Sequence, residues 1–266
     1  MVFKALTIAG SDSGGGAGIQ ADLKTFQELG VFGMSAITAV TAQNTLGVQG
    51  VFPLSAEAVA AQIESVAADL GADAVKTGML FSADIICTVA EQVKKHGWKR
   101  LVVDPVMIAK GGAPLLQEEA VAALKEELLP LALVITPNIP EAEALTGTSI
   151  RTMDDRREAA RRLHRMGARY VVIKGGHDDD GEETVDLLYN GDGFSYFKSK
   201  RIDTRHTHGT GCTFAAAIAA ELAKGRHPAD AVATAKAFVQ SAIAHPLGIG
   251  QGHGPTNHWA YRQYGE

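Results

Sequence analysis

Short apolar runs alternate with amphipathic segments along most of the chain. Residues 3–9 form an apolar run ended by Gly10, which predicts a buried strand. Residues 19–29 then carry apolar side chains at helical spacing, and the same alternation continues. It predicts strands at 34–42, 73–77, 101–104, 133–136 and 169–174, and helices at 19–29, 55–71, 82–97, 117–129, 139–145, 152–166, 212–222 and 229–244.

One exception interrupts this alternation. Residues 184–189 and 194–198 are predicted to pair as an antiparallel hairpin around Asn190–Gly193, a sequence rich in turn formers. Elsewhere, strand–helix alternation favours an α/β fold with a mainly parallel sheet covered by helices on both faces. No linker or repeat divides the sequence, so one domain is predicted over residues 1–266.

Composition narrows the class of protein. The 266 residues, 46% hydrophobic and 21% charged, suffice for one large α/β domain. A net charge of −5 provides no basic field for nucleic acid. Two cysteines make no disulfide framework. The sequence shows no signal-peptide pattern and no apolar run of about 18 residues. A cytoplasmic protein that binds neither nucleic acid nor membrane is expected.

Polar residues gather where the predicted strands end. Ligands of open α/β sheets bind beyond the carboxyl ends of the strands, and a purely structural sheet does not require polar residues there. The pattern therefore predicts a ligand site at this edge. The residues concerned are Gly10 to Asp12, Gln43, Asn44, Lys76, Thr77, Asp104, Asn138, Glu141 and Lys174 to Gly176.

The turn Gly209-Thr210-Gly211 leads into the helix that begins at Cys212. A helix start leaves several N–H groups without partners and carries partial positive charge. Two glycines allow an anion to approach such a backbone closely. The turn is therefore a candidate anion hole for phosphoryl transfer, with Lys174 as a second positive group. Taken alone, the stretch fits equally well a turn that merely caps a core helix.

The first glycine-rich loop, residues 10–18, fits neither familiar phosphate motif well. It lacks the Lys-Ser/Thr pair of a P-loop, and the strand after its dinucleotide-like pattern ends in Gln43-Asn44 without an acid. We therefore expect the loop to pass over a small substrate. Asp22 is a candidate to hydrogen-bond that substrate, or else a first-turn carboxylate that compensates the helix dipole. The Gln43 amide suits an aminopyrimidine-like ring edge, although a polar strand end would look the same.

Asp104 and Glu141 form a candidate Mg²⁺ pair, because carboxylates near phosphates usually hold this ion directly or through water. Lys174 ends a strand, where its charge requires an anion or solvent. The alternatives are a helix-start carboxylate for Glu141 and solvated strand ends for Lys174 and Lys76. Together the residues favour a phosphate site more than each does alone.

Seven motifs stand in order along nearly the whole chain, up to residues 252–256. Together they resemble the hydroxymethylpyrimidine/phosphomethylpyrimidine kinases of thiamine biosynthesis, within the ribokinase-like superfamily. The motifs are AGSDSGGGAGIQAD (9–22), TAQNT (41–45), KTGML (76–80), DPVM (104–107), TPNIPE (136–141), KGGH (174–177) and HGTGCT (208–213). The resemblance implies a three-layer α/β/α sandwich, a homodimer and two successive phosphorylations by ATP with Mg²⁺. The acceptors would be 4-amino-5-hydroxymethyl-2-methylpyrimidine and then its monophosphate.

The resemblance also implies roles for individual residues. The pyrimidine would be bound by Gln43, Asp22, Gly10, Ala17, Met79 and Val106. The anion hole would be Gly209, Thr210, Gly211 and Cys212, and ATP would be bound by Lys174, Asn138 and Lys236. Asp104 and Glu141 would organise Mg²⁺, and residues 109–112 would form a mobile flap.

Cys212 departs from the broader superfamily, whose sugar kinases carry an aspartate base at this position. A thiol is a weaker base, although a helix start lowers the pKa of some cysteines. We therefore expect Cys212 to admit two differently charged acceptors. Two alternatives remain: a pyridoxal kinase, which the absence of a flap cysteine in residues 107–111 disfavours, and a non-catalytic pyrimidine-binding regulator, which the intact site motifs disfavour.

Overall fold

The computed structural model describes residues 2–108, 112, 115–116, 118–176 and 181–264, and within them one nine-stranded sheet organises the chain. The predicted flap falls outside these residues except for Gly112. The strands are β1 (Lys4–Asp12), β2 (Phe32–Asn44), β3 (Gly47–Pro53), β4 (Ala74–Thr77), β5 (Leu101–Val103), β6 (Val134–Ile135), β7 (Tyr170–Ile173), β8 (Glu183–Tyr189) and β9 (Phe194–Lys200).

The strand order is β3-β2-β1-β4-β5-β6-β7-β8-β9. The six strands from β2 to β7 in this order run parallel, which confirms the predicted mainly parallel sheet. β8 and β9 pair antiparallel, as the turn sequence predicted. β3, which pairs antiparallel with β2, was missed. It contains Gly47 and Gly50 and ends in Pro53, so its composition resembles a loop, and such residues are tolerated at a sheet edge.

Helices cover both faces of the sheet. They are α1 (Gly18–Glu28), α2 (Ala56–Asp69), α3 (Ala83–His96), α4 (Glu118–Ala123), α5 (Ile139–Thr146), α6 (Met153–Arg165), α7 (Thr210–Ala223), α8 (Pro228–Ala244) and α9 (Ala260–Tyr264). None of the helices within the described ranges is long and apolar enough to cross a membrane.

Successive strand residues point into two different cores. Leu101 and Val103 of β5 pack in one core with helices α2 to α6, whereas Val102 packs in the other with α1, α7 and α8. This alternation follows from the two-residue repeat of a strand. The apolar runs of the central strands lack polar alternation because β4, β5 and β6 are buried on both sides. The three-layer α/β/α sandwich that the family resemblance implied is confirmed.

One local prediction was wrong. The single helix predicted at 117–129 is α4 followed by a π-helical turn, Leu124–Leu128, and a 3-10 turn, Leu129–Leu131. Pro130 lacks the N–H that an α-helix needs, so the last turn takes another form.

Arg156 lies in the arginine-rich helix α6. Its side chain is buried and donates to the Val185 carbonyl of β8 at 2.8 Å.

Candidate active site

A cavity of about 630 Å³ opens at the carboxyl ends of the central strands. The glycine loop, the ends of β4 to β7 and the start of α7 surround it, so the predicted location of the site is where a cavity exists. Nearly all predicted site residues line it: Gly10, Ala17, Gln43, Met79, Asp104, Val106, Asn138, Glu141, Lys174, Gly209 to Cys212 and Lys236. Asp22 is the exception, because its carboxylate lies behind the cavity wall, bonded to Lys76.

The turn before α7 has the geometry of an anion hole. Gly209 adopts φ 82°, and a Cβ there would fall 1.8 Å from the Gly16 carbonyl oxygen, so only glycine fits. Thr213 N–H makes the first helical bond, to Gly209 O at 2.9 Å. Within the described part of the chain, the N–H groups of Gly211 and Cys212 have no hydrogen-bond partner. The turn therefore both caps the helix and presents two free donors.

Lys174 and Asp104 face this turn from the opposite wall. Lys174 Nζ lies 3.1 Å from Asp104 Oδ1, and a Cβ on Gly211 would be 3.3 Å from the same Nζ. Thr136 Oγ1 also donates to Asp104 Oδ1, at 3.3 Å. Burial acts to lower the pKa of Lys174, but the charges of Asp104 and Glu141 outweigh it and raise that pKa. The ammonium is therefore charged at neutral pH, beside the free amides.

Asn138 and Glu141 cap α5 through reciprocal hydrogen bonds. Glu141 N–H donates to Asn138 Oδ1 and Asn138 N–H donates to Glu141 Oε2, both at 2.8 Å. The alternative interpretation of Glu141 as a helix-start carboxylate is thus correct. The same Glu141 side chain caps α5 and lines the cavity. Burial raises the pKa of Glu141 to about 7, opposed by Lys174 and assisted by the negative charge of Asp104.

The donor set on this wall fits a hydrated Mg²⁺ ion. Mg²⁺ prefers oxygen ligands, retains several waters, and is held by one or two carboxylates together with substrate phosphates. Asp104 and Glu141 supply such carboxylates beside the free amides of the turn. No group of three or more metal-binding side chains occurs in the described ranges, which disfavours an all-protein metal cage.

The Cys212 thiol sits between the free amides and Lys76, with some surface open to the cavity. Burial raises the pKa of Cys212 to about 11, while the charge of Lys76 and a hydrogen bond from Gly18 act in the opposite direction. Asp22 and Asp104 raise it further. The helix start therefore does not lower the pKa of this cysteine, and Cys212 is a neutral thiol at pH 7.

Asp22 and Lys76 form an ion pair that is completely buried. Lys76 Nζ lies 2.9 Å from Asp22 Oδ2, both side chains have 0% exposure, and Thr7 Oγ1 donates to the same oxygen at 2.6 Å. Burial acts to lower the pKa of Lys76, but the charges of Asp22, Cys212 and Asp104 raise it overall. Asp22 reaches the cavity only through Lys76, so its direct contact with a substrate stays a prediction that this geometry does not favour.

Gly10, Met79 and Gln43 line one part of the cavity wall. Gly10 lies against Met79, since a Cβ on Gly10 would fall 2.3 Å from Met79 Cε. Gln43 lies between Thr41 and His208, with Gln43 Oε1 3.2 Å from Thr41 Oγ1 and Gln43 Nε2 3.4 Å from His208 Nε2. An amide beside apolar walls suits a small, flat ring with polar edges.

Lys236, on α8, lines another part of the cavity wall. Its Nζ is 2.9 Å from Asp186 Oδ2 and 3.0 Å from Thr184 Oγ1. Asp186 Oδ1 accepts from Gly175 N–H at 2.8 Å, so this network ties α8 to the loop after β7. The cavity is thus lined by the Gln43 amide in one part and by the charged side chains of Lys174, Asp186 and Lys236 in another.

Two residues of the cavity wall were given no individual role from the sequence: Asp12, which was placed only among the polar residues at the strand ends, and His208. His208 Nε2 lies 2.9 Å from Asp12 Oδ2, and both side chains are buried. Neither type of residue is informative alone, and they are 196 positions apart. Their presence inside two motifs, AGSD and HGTG, was the available signal.

The three-layer α/β/α sandwich carries free amides at a helix start, with a lysine and two carboxylates facing them. This combination of fold and site defines a small-molecule kinase of the ribokinase-like class. The family model for phosphomethylpyrimidine kinase matches residues 12–257. The hydroxymethylpyrimidine/phosphomethylpyrimidine kinase of Bacillus subtilis is 60% identical over 98% of this chain and 97% of that protein, and the Haemophilus influenzae protein of the same name is 59% identical over 98% of both. The solved ADP complex of Bacillus subtilis pyridoxal kinase has a TM-score of 0.92 at 47% identity, covering 99% and 100% of the two chains.

The chain therefore belongs to the phosphomethylpyrimidine kinase family and is a phosphotransferase that uses ATP.

Proposed function

We propose that this enzyme phosphorylates the hydroxymethyl group of 4-amino-5-hydroxymethyl-2-methylpyrimidine and then the resulting monophosphate. The main support for the proposal is that the candidate groups line one cavity. These groups are the two free amides of Gly211 and Cys212, the Lys174 ammonium and the Gln43 amide. A pyrimidine with an exocyclic amine matches the donors and acceptor of an amide.

The free amides and charged side chains of the cavity would act by positioning and charge stabilisation. Phosphoryl transfer gains most from groups that meet charge developing on the transferred phosphoryl oxygens. The Gly211 and Cys212 amides and Lys174 would supply this, and Lys236 and Asn138, which line the same cavity, would contact the remainder of ATP. Asp104 and Glu141 would hold Mg²⁺, which neutralises phosphate charge when bound. The predicted pyrimidine contacts of Ala17, Met79 and Val106 remain part of the proposal.

Cys212 would allow one site to accept both substrates. With a pKa of about 11 it is neutral, so it neither repels the anionic monophosphate nor acts as a ready base. The second acceptor, a phosphate monoester, is already mostly anionic at pH 7 and needs alignment rather than deprotonation. We expect Cys212→Asp to impair the second step more than the first. Retention of only the second step would contradict this role.

Coupled measurement of ADP release tests the proposal directly. We expect two equivalents of ADP to be released for each molecule of the pyrimidine and one for each molecule of its monophosphate. Asp104→Asn should release ADP much more slowly with either substrate. Asp192→Asn, at the exposed tip of the β8–β9 hairpin, is the matched control and should behave as wild type.

Pyridoxal is the competing substrate to include, since a pyridoxal kinase is 47% identical to this chain. A higher kcat/KM for pyridoxal than for the pyrimidine, or no ADP release with either pyrimidine, would overturn the proposal. The proposed homodimer needs a separate measurement, light scattering at several protein concentrations. A mass near 28 kDa throughout would exclude it.

A further inference from the structure

The Asp12 carboxylate is surrounded by hydrogen-bond donors from two distant segments. Oδ1 accepts from Gly14 N–H at 2.8 Å, and Oδ2 accepts from Gly16 N–H at 3.0 Å and Ala17 N–H at 2.8 Å. The fourth contact is His208 Nε2, 2.9 Å from Oδ2. Asp12 thus fixes the glycine loop from within and ties it to the residue before Gly209.

The proton on His208 can be placed from this contact. Burial acts to raise the pKa of Asp12, but the hydrogen bond and charge of His208 and the loop amides lower it below 3.8. An ionised carboxylate only accepts hydrogen bonds. His208 Nε2 must therefore carry a proton and donate it to Asp12.

That proton decides how the neighbouring Gln43 amide is oriented. Gln43 Nε2, also a donor, lies 3.4 Å from His208 Nε2, while Gln43 Oε1 lies 3.2 Å from Thr41 Oγ1. The single Thr41 proton is used by Ser11 O at 2.7 Å, so neither contact is satisfied well. Exchanging the two ends of the amide relieves both contacts, because Nε2 then donates to Thr41 Oγ1 and Oε1 faces the His208 Nε2–H. That N–H is then shared between Asp12 at 2.9 Å and Gln43 at 3.4 Å as a three-centre hydrogen bond.

His208 is closely packed and its backbone is hydrogen-bonded on both sides. A Cβ on Gly16 would fall 2.6 Å from His208 Cδ2 and 2.8 Å from Pro255 Cβ, so the ring is enclosed by the glycine loop and residue 255. The His208 backbone is also fixed, as its N–H donates to Gly254 O at 3.1 Å and its carbonyl accepts from Thr256 N–H at 3.2 Å.

We propose that His208, held by Asp12, is a positioning residue that fixes the amide of Gln43 and holds the glycine loop in register with the anion-hole turn. The inference rests on the proposed function, since Gln43 is the group that would recognise the pyrimidine edge. His208 affects the reaction only through Asp12 and Gln43, because the proton on its Nε2 is already used in hydrogen bonding.

Two substitutions separate this role from a merely structural one. Glutamine places its amide nitrogen near the position of the histidine Nε2, whereas asparagine places it near Nδ1 and does not reach Asp12. We expect His208→Asn to raise KM for the pyrimidine about tenfold and to lower kcat by a similar factor, as loss of one charge-assisted hydrogen bond allows. His208→Gln should restore most of both. His245→Asn, an exposed histidine beyond α8, is the control for the substitution itself.

The results that would contradict the role of His208 differ from the result that would contradict the proposed function. If wild type phosphorylates the pyrimidine and His208→Asn keeps its KM and kcat, the inference is wrong. The same follows if the asparagine and glutamine variants are equally impaired, or if both lose only thermal stability. If wild type itself does not phosphorylate the pyrimidine, the proposed function fails instead.

A spectroscopic measurement tests the proton directly, without turnover. Long-range ¹H–¹⁵N correlation spectra of the wild-type protein should show His208 protonated at Nε2, and Asp12→Asn should change that signal. A neutral His208 protonated only at Nδ1 would overturn the inference, whatever the kinetics.

Discussion

The lysine–aspartate pairs Lys76–Asp22 and Lys174–Asp104 lie at the wall of one crevice but differ in how far they are buried. Lys76 and Asp22 are 2.9 Å apart and both 0% exposed, whereas Lys174 and Asp104 are 3.1 Å apart and 15% and 2% exposed. A closed pair cannot exchange its partner for a ligand. An open pair can, because its ammonium already faces the cavity and the free amides. Burial, not residue type, therefore separates a pair that only supports the fold from one that could meet a ligand.

The largest effect should come from breaking the closed pair. Lys76→Met leaves the Asp22 charge buried without its partner, which typically costs about 3–5 kcal/mol. We expect that loss in the free energy of unfolding, measured in urea at pH 7. Lys94→Met, which removes an exposed ion pair with Glu127, should change it by less than about 1 kcal/mol.

A double variant makes the first prediction sharper. Lys76→Met combined with Asp22→Leu removes both charges and should recover much of the lost stability, since an apolar pair of similar volume has no charge left to bury. Equal stability of the single and double variants would show that the pair does not contribute through its charges.

The open pair should respond in activity instead. Lys174→Met removes a cation that faces the two free amides, and we expect kcat to fall about 10²–10³-fold, as for loss of one transition-state donor. Its unfolding free energy should fall less than that of Lys76→Met. The matched exposed variant is Lys198→Met, on β9. A stability loss as large as that of Lys76→Met would erase the distinction between the pairs.

His258 shows what burial does to an ionisable group that has no carboxylate partner among the described residues. Burial, with a contribution from the charge of Lys24, lowers the pKa of His258 to about 4 from 6.5, and its Nε2 lies 3.0 Å from Thr213 Oγ1. The unfolded chain therefore takes up this proton first. The folded protein should lose up to ~3 kcal/mol through this group as pH falls from 6.5 to 4.

Unfolding in urea across that pH range measures the loss. His258→Gln keeps a hydrogen-bonding group near Thr213 and should flatten the dependence on pH. A variant with the wild-type slope would show that other groups cause it.

The smallest expected effect is on the reactivity of the Cys212 thiol. Since the pKa of Cys212 is about 11, its alkylation by iodoacetamide should be barely measurable at pH 7 and rise about tenfold per pH unit above it. Cys87→Ser leaves Cys212 as the one remaining cysteine and simplifies the measurement. A rate that levels off near pH 8.5 would mean that burial does not control this thiol.

The sequence predicted the sheet core well because its signals are local. Apolar runs such as residues 101–104 are bounded by turn formers, and the serines before α2 and α3 cap those helices. β3 and the π-helical turn were missed, because pairing partners and Pro130 override the composition of those segments. The order of the motifs along the chain also identified the family, because many of the motif residues lie at the ends of the parallel strands.

What the sequence alone determined is which residues reach the carboxyl edge of the sheet and that a glycine turn starts a helix there. Only the tertiary structure decided that Asp22 faces Lys76 rather than the cavity, that Asp12 meets His208, and that the Cys212 thiol stays protonated. The reason is physical. Strand ends are set by local patterns, whereas burial and charge pairing depend on partners 54 or 196 residues away.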